Sequence, residues 1–153
     1  MFQWLKQLFC KIFRRGRSDS SEENETLSVL AQEPHSCALV ALARAIPDLP
    51  AQDIIEAFVM RCDKWPEAGV SNSEFNKVLH DLKVFDRFHY DGADTTIEEL
   101  IKQPKKLFIA LIHGHFTVVQ DGVVRDSPYN LSISTDTAVY CSWELRSHKF
   151  LGF

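Results

Sequence analysis

What the chain lacks narrows its chemistry first. Its four cysteines, Cys10, Cys37, Cys62 and Cys141, stand far apart, without a Cys-x-x-Cys pair or zinc-ribbon spacing. The apolar residues at the N-terminus are broken by lysine and glutamine every few positions, so they do not read as a secretory signal. Free thiols in a reducing, cytoplasmic setting are the expectation. No acid occurs among residues 1–17, which carry Lys6, Lys11, Arg14, Arg15 and Arg17, a local charge of +5. The other residues hold 12 bases against 21 acids, a balance of −9. A body that acidic does not suit phosphate contacts, so no nucleic-acid partner is expected.

What is present divides into three parts. Phe2, Leu5, Leu8, Phe9, Ile12 and Phe13 recur at helical spacing, with Gln3, Lys6, Gln7, Lys11 and Arg14 largely opposite. At ~1.5 Å per residue this segment is too short for a bilayer core of ~30 Å. A cationic amphipathic helix bearing Trp4 suits an anionic membrane surface, with Phe2, Trp4, Leu5, Phe9 and Phe13 inserted and Lys6, Lys11, Arg14 and Arg15 at the headgroups. Docking on a partner's groove or on the domain itself is the alternative. Residues 18–26 are polar and acidic and read as a flexible linker. Residues 27–153 then form one domain, of a length that buries a real core.

Within that domain the first half is helical. Ser36 is placed to cap a helix from Cys37 to Ile46, broken by Pro47. A thiol at a first helical position sits at the positive end of the helix dipole, which stabilises thiolate. Ala51–Asp63 predicts a second helix, with Cys62 in the core. Ser71-Asn72-Ser73-Glu74 has the capping-box pattern for a third, ending near Leu82. This half carries no metal or phosphate motif.

The second half changes period. Val84–Tyr90 and Val139–Leu145 predict strands, and Thr95 or Thr96 opens a short helix between them. Leu107–Ile112 reads as a central strand covered on both faces, followed by a strand from His113 to Gln120. Asp121-Gly122 is a strong hairpin signal. A two-residue turn there pairs Val119 with Val124, Val118 with Arg125, and Thr117 with Asp126. His115, Thr117, Val124 and Asp126 then share one face. His115 and Asp126 become diagonal neighbours at ~7–8 Å between Cα atoms, within reach of an imidazole and a carboxylate. His113 falls on the same predicted face and is an alternative base. His35, Cys37, His113 and His115 also form a candidate zinc set, although no carboxylate or second cysteine is fixed by spacing.

A helix-borne thiol, a strand-borne imidazole and an acid are the parts of a nucleophile–base–orienter triad. The ordered set Gln32, Cys37, Gly114-His115-Phe116 and Asp126 resembles the papain-like cysteine peptidases, and among them the small bacterial double-glycine leader peptidases. That resemblance implies an α+β, papain-like fold, its N-terminal helical part packed on a C-terminal antiparallel β-sheet. It implies Cys37 as nucleophile, His115 as base, and Asp126 holding the ring. Gln32 with the Cys37 N–H would form the oxyanion hole. A protein or peptide substrate would be needed and no cofactor. Ser36-Cys37-Ala38 departs from the Asp-Cys-Gly usual in the leader peptidases, and no exporter segment follows. An inactive scaffold of the same fold, binding proteins at a membrane without cutting them, is the competing expectation.

Overall fold

The computed structural model describes residues 31–32, 35–65, 67–90, 94–126, 129 and 131–146. The amphipathic arm, the linker and the membrane-facing residues Phe2, Trp4, Leu5, Lys6, Phe9, Lys11, Phe13, Arg14 and Arg15 lie outside them.

Three helices come first: α1 (Cys37–Ala45), α2 (Ala51–Arg61) and α3 (Asn72–Leu82). The α3 terminus follows from its sequence. Ser71 accepts from the Glu74 N–H and Glu74 returns the bond to the Ser71 N–H, satisfying two otherwise orphan donors. Lys83, left-handed at φ 59°, ends it. Five strands follow, with one short helix among them: β1 (Phe85–Tyr90), α4 (Ile97–Ile101), β2 (Leu107–Ile112), β3 (His115–Gln120), β4 (Val123–Arg125) and β5 (Cys141–Leu145). They build one antiparallel sheet in the order β1-β5-β2-β3-β4. The chain is therefore α+β, helices first and an antiparallel sheet after.

Strand alternation sorts the core into two layers. Ile109, Phe116, Val118, Cys141 and Trp143 face the three helices. Phe108, Ala110, Ile112 and Val119 face α4 with Ile97 and Leu100. The central strand β2 is accordingly apolar on both sides, as its sequence predicts.

The β3–β4 hairpin matches its predicted register: Gln120 opposes Val123, Val119 opposes Val124 and Val118 opposes Arg125. The ladder stops there, so Asp126 follows the last paired residue rather than pairing with Thr117. Asp121 and Gly122 both take positive φ, 52° and 78°, the geometry whose twist suits a two-residue hairpin. A Cβ on Gly122 would lie 2.9 Å from the Ile101 carbonyl oxygen, a backbone atom that cannot swing aside. Gly122→Ala is expected to lower stability by about 1 kcal/mol or more. Urea unfolding checks this, and a variant as stable as the parent would contradict it.

The start of β3 also differs from the expectation. β3 does not begin at His113: Ile112 pairs directly with His115, and His113-Gly114 forms a tight turn at φ 44° and 74°. His113 is exposed in that turn and shares no strand face with His115.

Candidate active site

The site forms where the start of α1 meets the start of β3. Cys37 is the first residue of α1 and is half-buried. Ser36 occupies the N-cap position, yet its side chain caps nothing in the helix. Its hydroxyl instead lies 3.2 Å from the Tyr129 hydroxyl. The Ser36 side chain therefore does not cap the first N–H groups of α1, which stand beside the thiol at the positive end of the helix. Just upstream, His35 is left-handed at φ 58°, and its carbonyl accepts from Trp65 Nε1 at 3.0 Å.

His115 and Asp126 meet as the hairpin geometry requires. The ring Nε2 is 2.7 Å from Asp126 Oδ1, with side-chain exposures of 17% and 5%. Asp126 Oδ2 accepts from the Leu131 N–H at 3.1 Å, so both carboxylate oxygens are engaged. Burial alone would push the His115 pKa down. Hydrogen bonding to Asp126 and Cys37, with the charges on both, outweighs that and raises it to about 9. For Asp126, burial acts to raise the pKa, but His115, the nearby Thr117 hydroxyl and the Leu131 N–H hold it below the ordinary carboxylate range. Thr117 Oγ1 is buried and, among the described residues, makes no well-formed hydrogen bond of its own. The result is a ring placed between a carboxylate and the Cys37 sulfur and protonated at neutral pH. Because Nε2 is committed to Asp126, Nδ1 is the nitrogen left to exchange a proton with Cys37.

Three of the four predicted catalytic residues thus come together. Gln32, the fourth, lies in the helical pair Ala31–Gln32 and is exposed, and among the described residues no hydrogen bond joins it to Cys37. The zinc alternative does not assemble: among the described residues no group of three or more His, Cys, Asp or Glu side chains is placed to hold a metal. Cys62 and Cys141 are buried. Burial, reinforced by the charges of Glu74 and Asp63, pushes the Cys62 thiol up to about 12, so it stays protonated and inert.

A groove of about 230 Å³ opens beside the thiol, lined by Cys37, Ala38, Val70, Leu111, Phe116 and Tyr140 among others. Its remaining lining residues, His35, Gly69, Ser71, Asn72 and Gly114, add no permanent charge. A larger cleft of about 480 Å³ lies at the far end of β2, between Lys105, Lys106, Asp86, Glu144 and Arg146. Its lining has no thiol, hydroxyl or imidazole, and Lys106 there is paired with Glu144 at 3.0 Å. The chemistry belongs to the smaller groove.

Tyr129 was not singled out from the sequence. Its ring stands edge-on to His115, centroids 5.2 Å apart at 90°. A lone tyrosine in a loop carries no periodic signal, which is why it passed unread.

Compared with family models, curated proteins and solved structures, the chain finds no match. Among the described residues no helix is long and apolar enough to cross a membrane.

Proposed function

We propose that this protein is a papain-like thiol hydrolase that cleaves peptide or isopeptide bonds. The observation that carries this reading is the 2.7 Å His115–Asp126 pair, its ring raised in pKa by Asp126 and by Cys37, the half-buried thiol at the first position of α1. In this reading the Cys37 proton passes to His115 Nδ1, the sulfur attacks the substrate carbonyl, and the negative charge that develops on the carbonyl oxygen is held by the Cys37 N–H, with Gln32 as the candidate second donor. Protonated His115 gives its Nδ1 proton to the departing amine as the C–N bond breaks. It then takes a proton from the water that hydrolyses the thioester, returning the sulfur and the ring to their starting state. Asp126 fixes the ring orientation and stabilises its charge throughout. The groove's lining favours substrates whose residues beside the scissile bond are uncharged and apolar.

The test uses a peptide carrying a thiol-reactive electrophile at the scissile position, with apolar and acidic flanking residues compared. Labelling at Cys37 at neutral pH, faster for the apolar peptide and lost in Cys37→Ala, is expected. Labelling of Cys37 no faster than of buried Cys62 or Cys141 would overturn the enzyme and leave a binding scaffold.

A further inference from the structure

The chain segment entering α1 is held from two sides by residues far away in sequence. Trp65 grips the His35 carbonyl at 3.0 Å. On the other side stands Tyr129, which has three attachments to the site. Its backbone N–H donates to the Asp126 carbonyl at 2.9 Å, its ring meets His115 edge-on, and its hydroxyl pairs with Ser36. Each attachment reaches a different part of the site: the acid's backbone, the base's ring, and the residue before the nucleophile.

We propose that Tyr129 is a positioning residue, clamping the Cys37 end of α1 against the His115 ring through its hydroxyl pair with Ser36. The local chemistry explains why Ser36 is spent this way. A serine at an N-cap ordinarily accepts from a backbone N–H within the helix, which stabilises it. Here that bond is forgone, and the hydroxyl, on a residue only 2% exposed, reaches across 93 positions of sequence instead. The exchange gives up that bond within the helix and ties the start of α1 to the imidazole. Burial raises the Tyr129 pKa against the effect of its Ser36 bond, and the charges of Cys37 and Asp126 raise it further, so the phenol stays neutral where the site would work. A thiol and an imidazole on separate elements exchange a proton only if the gap between those elements is held to a fraction of an ångström. The Tyr129–Ser36 contact spans that gap.

This inference rests on Cys37 and His115 acting as a pair, and it is tested by alkylation, which needs no substrate. The full chain is treated with iodoacetamide, and labelling is followed residue by residue at pH 6.5 and pH 10. Tyr129→Phe and Ser36→Ala are each expected to slow Cys37 labelling at pH 6.5 by about fivefold, the size of one lost hydrogen bond. At pH 10, where an ordinary thiol is ionised, the rate should hardly change. The double variant should be no slower than the slower single one, because both remove the same contact. Unchanged rates in the two single variants, or effects that multiply in the double, would overturn the clamp. Labelling of buried Cys62 in both single variants would also overturn it, since the contact would then be holding the fold and not the site. Clamp effects without peptide hydrolysis by the parent chain would sink the hydrolase reading alone. Hydrolysis with unaltered alkylation would sink the clamp alone.

Discussion

Alanine at His115 is expected to slow Cys37 alkylation at pH 6.5 by about tenfold or more, and to leave it nearly unchanged at pH 10. Below about 9 the ring is protonated and sets a positive charge beside the sulfur. Without the ring that charge is missing at pH 6.5, whereas at pH 10 the parent ring is itself neutral and its removal changes little. Hydrolysis, if the proposed reading holds, should fall by about 10²–10⁴-fold, the usual loss when a positioned proton donor is removed. The same substitution has a signature in stability. His115 titrates at about 9 in the folded chain against 6.5 for the ordinary group, so its stabilising contribution is complete below 6.5 and is lost as pH rises through 9. Asp126 works in the other direction: its pKa is lowered, so its contribution is present above the ordinary 3.8 and is lost as pH falls through the folded value. The parent chain should therefore unfold at lower urea at pH 9.5 than at pH 6.5, and His115→Ala should show a smaller difference. An alkylation profile that His115→Ala leaves untouched at pH 6.5 would mean the ring and the sulfur do not cooperate.

How much of this could be read beforehand depended on how local the determining contacts are. The capping box at Ser71–Glu74 and the turn at Asp121-Gly122 are decided by residues a few positions apart, and both formed as the sequence predicts. The hairpin then carried its information outward. Extended past its last ladder pair, the register points His115 and Asp126 to one face, and the two side chains meet there although Asp126 itself is unpaired in the ladder. Cys37 is legible at a helix start for a similar reason, since the helix formers that follow it are local.

Where longer-range contacts compete, local reading fails. Ser36 looks like a cap but gives its hydroxyl to Tyr129, a choice that only the folded chain presents. The His113-Gly114 turn was hidden inside a run of strand formers, although a residue followed by glycine between two strands is itself a turn signal. The position of β5, inserted between β1 and β2 after the rest of the sheet has been laid down, has no local determinant. It follows from where Trp143 finds its aromatic partners.

Those partners make Trp143 the most consequential core position. Trp143→Ala is expected to cost about 3–5 kcal/mol, the range for truncating a large buried aromatic. Against a total of about 5–15 kcal/mol for a domain of this kind, that is enough to unfold much of the population. The side chain is fully buried, edge-on to Phe75 at 4.7 Å and stacked on Phe116 at 5.8 Å. Its Nε1–H donates to Asn76 Oδ1 at 3.3 Å. It thereby joins α3, which bears Phe75 and Asn76, to β3, which bears Phe116, from a strand between β1 and β2. Phe116 is the neighbour of His115 and lines the groove, so a cavity at Trp143 lies one side chain from the site. Trp143→Phe separates packing from loss of fold, because it retains an aromatic ring against Phe75 while giving up the indole bond. It should cost less in urea unfolding and keep the pH-dependent alkylation of Cys37. If Trp143→Ala cost under about 1 kcal/mol, the helices would have to be held to the sheet by something other than this aromatic cluster.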